Sequence, residues 1–178
     1  MGLDMSLTKK TYVKNWDHMG PEERHQVTVT KNGKPVKHIR PERVMYIEEE
    51  IVCWRKANQI HAWFVEHVQD GNDNCGEHWC SIEKLRLLLD ICEKVLAECE
   101  LAPGMVQNGA KMNDAGEWEP IIELGKKVKD PAVAEALLPS QGGFFFGSTD
   151  YDHWYIQDIE HTAEELRKVI ADHDAGIQ

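Results

Sequence analysis

Residues 44–68 read VMYIEEEIVCWRKANQIHAWFVEHV, and the period assigned to this stretch decides the fold. Val44, Ile47, Ile51, Trp54, Val65 and Val68 fall on one stripe at helical spacing, with Cys53, Ala57, Ile60 and Phe64 on a second beside it. This spacing predicts one long amphipathic helix, ended by Asp70-Gly71 and the polar run Asn72-Asp73-Asn74. A second helix is expected from Ile82 to about Cys99, capped by Ser81, with Ile82, Leu85, Leu88, Leu89, Cys92, Val95, Leu96 and Cys99 on its buried side. Two long helices therefore fill 44–100.

Working outward, Leu3, Met5 and Leu7 alternate with polar residues, as an opening strand with one buried face would. Val27 and Val29 alternate likewise, and Asn32-Gly33 supplies the positive φ pair of a tight hairpin turn. A return strand over Val36–Ile39 follows, with Pro35 suited to an edge. Residues 1–43 thus form a strand and hairpin region. Gly, Asn, Pro and Met mark 101–130 as a surface excursion. In 131–172 the expectation is a short helix over 131–138, capped by Asp130 with Pro131 in its first turn and stopped by Pro139, then a short buried strand over Phe144–Phe146 and a final helix. That helix opens in Ser148–Asp152, where Thr149 and Asp152 resemble a capping box, and buries Tyr155, Ile159, Thr162, Leu166 and Ile170. The fold class that follows is α+β: one domain over 1–178, with a small antiparallel sheet and its N-terminal hairpin packed by three main helices.

The 178 residues carry 31 acidic against 20 basic side chains, a formal charge of −11. That excess excludes nonspecific nucleic-acid binding, which depends on cationic contacts to phosphates. The charge is uneven, +4 over residues 1–43 and −15 over 44–178. No apolar run nears the ~18 residues of a membrane span and no secretory signal pattern opens the chain, so a soluble, cytoplasmic protein is expected. Five cysteines leave one unpaired in any disulfide scheme and are read as reduced thiols.

On a helical wheel Glu50, Asn58 and His61 fall inside the apolar arc around Trp54, and buried polar groups require partners. An aromatic wall with a few convergent polar groups suits a small-molecule pocket; an internally satisfied core network is the alternative. Arg55 lies near the edge of the arc, and Trp63 falls on the outer face, where it suggests a subunit contact and a possible homo-oligomer. Gly147, Ser148 and Thr149 stand before a helix start that can hold an anion, and Tyr151 offers a stacking surface, with Asp150 and Asp152 opposing an anion unless they meet ribose hydroxyls. Cys75, His78 and Cys80 are zinc-type ligands without a C-x-x-C pair, and no metal or cofactor is expected. No phosphate loop, nucleophile elbow or H-E-x-x-H motif occurs.

Gly2-Leu3-Asp4-Met5, Trp54–Phe64, Val68–Gly71 and Leu138–Asp152 together resemble a group of small uncharacterised proteins of phages, prophages and bacteria. The resemblance spans most of the chain outside 14–43 and 101–130, although Ser6 stands where that group has an aromatic residue. It implies a counter-defence setting. The leading expectation is non-catalytic sequestration of a small anionic, nucleotide-derived signal. In it Trp54 or Tyr151 stacks, Asn58 and His61 donate hydrogen bonds, Arg55 and the Ser148-Thr149 amides meet phosphate, and Asp152 meets ribose. One alternative is an acidic inhibitor of a host defence nuclease or effector, in the manner of an anti-CRISPR protein. Another is a nucleotide hydrolase with His61 as general base, oriented by Asp152 or Glu50.

Overall fold

The computed structural model describes residues 4–143 and 148–176. Leu3, the expected strand over Phe144–Phe146 and the candidate Gly147 lie outside them. The α+β class holds, with helices accompanied by small antiparallel sheets. Read above as one domain, the chain sorts into two compact units: Ser6–Val52 form one, and the remaining described residues form the other.

The main correction falls on 44–68. Instead of one helix, it forms a strand, β4 (Tyr46–Arg55), and a short helix, α1 (Asn58–His67). Two alternations of period 2 end the strand: Val52 and Trp54 are buried while Cys53 and Arg55 are exposed. Tyr, Ile, Val and Trp favour this extended backbone, and the apolar stripe of the wheel combined residues from two different elements. Lys56, at a φ of 64°, makes the break. β4 pairs with β1 (Asp4–Tyr12), whose residues alternate between exposed and half-buried. Within the Ser6–Val52 unit, the Ser6 hydroxyl donates to the Glu50 carboxylate at 3.0 Å and Tyr12 meets Tyr46 edge to face. Glu50 is therefore an exposed strand residue, not a member of a helical arc.

The Asn32-Gly33 turn is present as expected, with both residues at positive φ. Its strands are shorter than the alternation implied: β2 is Thr30–Lys31 and β3 is Lys34–Pro35, with Thr30 opposite Pro35. The Val36 amide still donates to the Val29 carbonyl at 3.1 Å, and residues 37–39 then turn away.

In the other unit, α2 (Ile82–Glu98) starts where expected, the Ser81 hydroxyl accepting from the Lys84 amide. It packs on α4 (His153–Asp174); α2 buries Leu85, Leu88, Cys92 and Val95, and α4 buries Ile159, Leu166 and Ile170 among others. Exposed ion pairs Arg167–Glu93 and Arg86–Asp174 flank it. α3 (Ala132–Leu137) begins one residue later than expected, its first amide bound by Asp130.

The 101–130 stretch is no irregular excursion. β5 (Leu101–Met112) and β6 (Trp118–Val128) form an antiparallel ribbon, turned at Asn113, whose side-chain oxygen accepts from the Ala115 and Glu117 amides. The glycines that read as loop signals serve the ribbon itself. Gly109, at a φ of 82°, lies in a bulge between Gln107 and Ala110. Gly125 lies against Val106, where a Cβ would come within 2.5 Å of the valine.

Leu88 is fully buried between α2 and its neighbours whereas adjacent Leu87 is about half exposed. Leu88→Ala is expected to cost about 3–4 kcal/mol and Leu87→Ala under about 0.5 kcal/mol in denaturant unfolding. Equal costs would contradict this packing.

Candidate functional site

The site begins at the join of β4 and α1. Trp54, the last buried residue of β4, is 3% exposed, and its indole N–H donates to the Thr162 hydroxyl of α4 at 2.8 Å. Its ring packs against Phe64 at 5.5 Å. Asn58, in the first turn of α1, is equally enclosed and uses both ends of its amide. Nδ2 donates to the Ser148 carbonyl at 3.0 Å, and Oδ1 accepts from the Gln141 amide at 2.9 Å. These two candidates belong to a satisfied internal network, the alternative that the polar residues of the arc also allowed.

The network fixes a wall made of residues 138–141. Tyr155 donates its hydroxyl to the Leu138 carbonyl at 2.9 Å, and the Tyr151 hydroxyl accepts from the Ser140 amide at 3.1 Å. Burial holds the Tyr155 hydroxyl well above its ordinary range, so it remains a donor. The two rings meet edge to face at 4.9 Å. Tyr151 thus positions the wall, and its ring is engaged with Tyr155.

Between this wall, α1 and the loop after α1 lies a cleft of about 310 Å³. Leu137, Leu138, Pro139 and Val65 supply apolar lining, while His61, Gln59, Gln141, Glu66 and Asp73 supply polar edges. His61 lies one turn beyond Asn58 on the same face of α1, and its Nε2 is 3.6 Å from Asp73 Oδ2. Asp73 arrives through a reversal at Asp70 and Gly71, both at positive φ, with the Gly71 amide bonded back to the Val65 carbonyl. Asp73 is thus the acid seen beside His61, while Asp152 caps α4 and Glu50 is an exposed residue of β4.

Asp152 also corrects the start of the last helix. Its Oδ1 accepts from the Trp154 and Tyr155 amides at 2.9 and 3.2 Å, so Asp152 is the cap and His153 the first helical residue. Those two amides are occupied by the protein's own carboxylate. Ser148 accepts from the Asp150 amide through its hydroxyl, Thr149 is exposed, and Asp150 pairs with Lys127 at 3.1 Å. Arg55 is largely exposed and stands 3.9 Å from Asp4. Trp63, expected on the outer face, is 3% exposed and stacks on His67 at 4.7 Å. Its face of α1 is covered, and it offers no subunit contact.

Gln59 reaches from α1 to α4, donating to Asp158 at 3.3 Å. Burial pushes the Asp158 carboxyl up to about 6, opposed by the Gln59 bond and by His161. The Cys75, His78 and Cys80 cluster is spread out chemically. Cys75 is exposed, His78 bonds to Asn74 at 3.0 Å, and burial pushes the Cys80 thiol up to about 11. Among the described residues no group of three or more His, Cys, Asp or Glu side chains is arranged around a metal position. No helix of the described residues is long and apolar enough to cross a membrane.

A scan of protein-family models and searches of curated proteins and of solved structures found no match to this chain. The cleft residues Asp73 and Leu137–Pro139 escaped the sequence reading because nothing periodic links them to His61. The one signal was Asp70-Gly71, whose turn returns the chain toward α1.

Because Asp158 keeps its proton in the folded chain over a range where an unfolded carboxyl has lost it, this residue stabilises most below about pH 4. Its contribution is expected to fall as pH rises to about 6, by on the order of 2 kcal/mol. Asp158→Asn, which retains an acceptor for Gln59, should match the native chain in urea unfolding near pH 4 and exceed it at pH 8. A constant difference across that range would contradict the assignment.

Proposed function

We propose that this chain captures a small nucleotide-derived molecule in the His61 cleft and acts by sequestration, in the counter-defence setting that its resemblance to phage proteins implies. The observation that carries the reading is His61 beside Asp73 in the wall of a 310 Å³ cleft. That volume is at the small end of ligand pockets and suits one heterocyclic base with part of its sugar. Apolar Leu137, Leu138 and Pro139 offer surface to a planar ring, while His61 and the Gln141 side chain offer polar edges. Asp73 and Glu66 line the cleft, and among the described residues no lysine or arginine does. The base therefore enters and the phosphate remains toward solvent, where ions screen it.

The same pair favours a second reading. A histidine held by a carboxylate is the arrangement of a general base, so hydrolysis of the captured molecule is the alternative to sequestration.

The test is a thermal-shift and calorimetric panel of the ribonucleoside 5′-monophosphates and their 3′,5′-cyclic forms, followed by mass analysis of the recovered nucleotides. At least one member is expected to bind, with His61→Ala weakening it about tenfold or more and Leu87→Ala leaving it unchanged. Recovery of an intact nucleotide supports sequestration, and a cleaved one supports the second reading. A panel that nowhere binds, or equal affinity in His61→Ala, overturns the cleft assignment.

A further inference from the structure

Beyond its base, the β5–β6 ribbon presents one face that nothing among the described residues covers. Direct cross-strand partners share a face, and the pairs Met105 with Leu124, Gln107 with Ile122, and Met112 with Trp118 are in register. Two residues of β5, Asn108 and Gly109, oppose one of β6 at the bulge, so the facing of the side chains is preserved through it. The opposite face holds buried Val106 at its base, packed where Gly125 leaves room near His153, and Lys111 opposite Glu119 toward its tip. At its base the ribbon meets the body on both faces, since Val128, on the other face, is buried as well. Its other face holds five large apolar side chains, Met105, Met112, Trp118, Ile122 and Leu124, all 51–77% exposed.

We infer that this face is a dimer interface, covered by the same face of a second copy of the chain. Exposed at these fractions, the five side chains offer roughly 600 Å² per copy and roughly 1,200 Å² in a pair, which reaches the lower bound of specific interfaces. Charge selects the occupant. A chain of −11 attracts a basic partner through its carboxylates, yet the paired positions of this face carry none. Beyond Lys126 near its base, the face is apolar and is matched by another of its kind, which a second copy brings by two-fold symmetry while keeping its acids outside the contact. Association through the ribbon edges is disfavoured, since Pro103 and Pro120 each remove a donor from a strand edge.

Sedimentation equilibrium of the whole chain from about 1 to 200 μM tests this. The mass is expected to rise from 20.4 kDa toward twice that value, and at least as readily in 1 M salt as in 0.1 M. The double variant Trp118→Lys with Leu124→Lys is expected to remain at one mass with an unchanged circular dichroism spectrum. A native chain that is monomeric throughout overturns the inference without recourse to any variant, including one that instead binds phosphatidylcholine vesicles. So does a dimer that survives the folded double variant; should that variant unfold, Ile122→Lys alone is read in the same way.

Discussion

The cleft depends on the fixing of residues 138–141 by three side chains that come from two helices and the segment between them. Asn58 accepts from the Gln141 amide, Tyr151 accepts from Ser140, and Tyr155 donates to Leu138. These are backbone groups that no helix or strand ladder satisfies, and each would cost about 1–3 kcal/mol if buried and unpaired. Asn58 matters most because its amide also binds the Ser148 carbonyl, so one residue of α1 holds two stretches of chain 83 and 90 positions away. His61, one turn along, inherits its position from that anchor.

A second polar line holds α1 and Trp54 against α4. Trp54 donates to Thr162, whose hydroxyl donates in turn to the Asp158 carbonyl, and Gln59 donates to the Asp158 side chain. Enclosed hydrogen bonds of this kind specify one arrangement, because any shift of α1 leaves several groups unpaired at once. The cost appears at Asp158, whose partly buried carboxyl holds its proton more tightly than in water. Polar residues that marked a candidate binding face thus divide into two roles: Trp54, Asn58 and Gln59 build the frame, while His61 and Asp73 meet in the space it encloses.

Helices joined by local periodicity and side-chain caps were legible in the sequence. α2 carries a single apolar stripe behind Ser81, and α4 repeats Tyr155, Ile159, Thr162 and Leu166 on one side. The turn at Asn32-Gly33 was legible for the same reason, since its conformation is local. The 44–68 stretch was not, because Ile47, Ile51 and Trp54 satisfy a period near 3.6 by accident while Val52 and Trp54 obey a period of 2 over only two steps. The β5–β6 ribbon was hidden by Gly104, Gly109 and Pro120, residues that weaken a strand in isolation but here relieve crowding, make a bulge and occupy an edge. The site was half legible: His61 stood out as a polar residue on an apolar face, whereas Asp73 reaches it only through tertiary folding of the Asp70-Gly71 turn.

Hydrogen exchange read at single amides tests the central claim, that Asn58 holds the wall of the cleft. In the native chain the Gln141 and Ser140 amides should exchange slowly although neither belongs to a helix or strand. Asn58→Ala should accelerate Gln141 by about tenfold or more, the loss of one part-buried hydrogen bond, while the amides of α2 remain as slow as before. Rapid exchange of Gln141 in the native chain, or an unchanged rate in Asn58→Ala with α2 intact, would contradict the account.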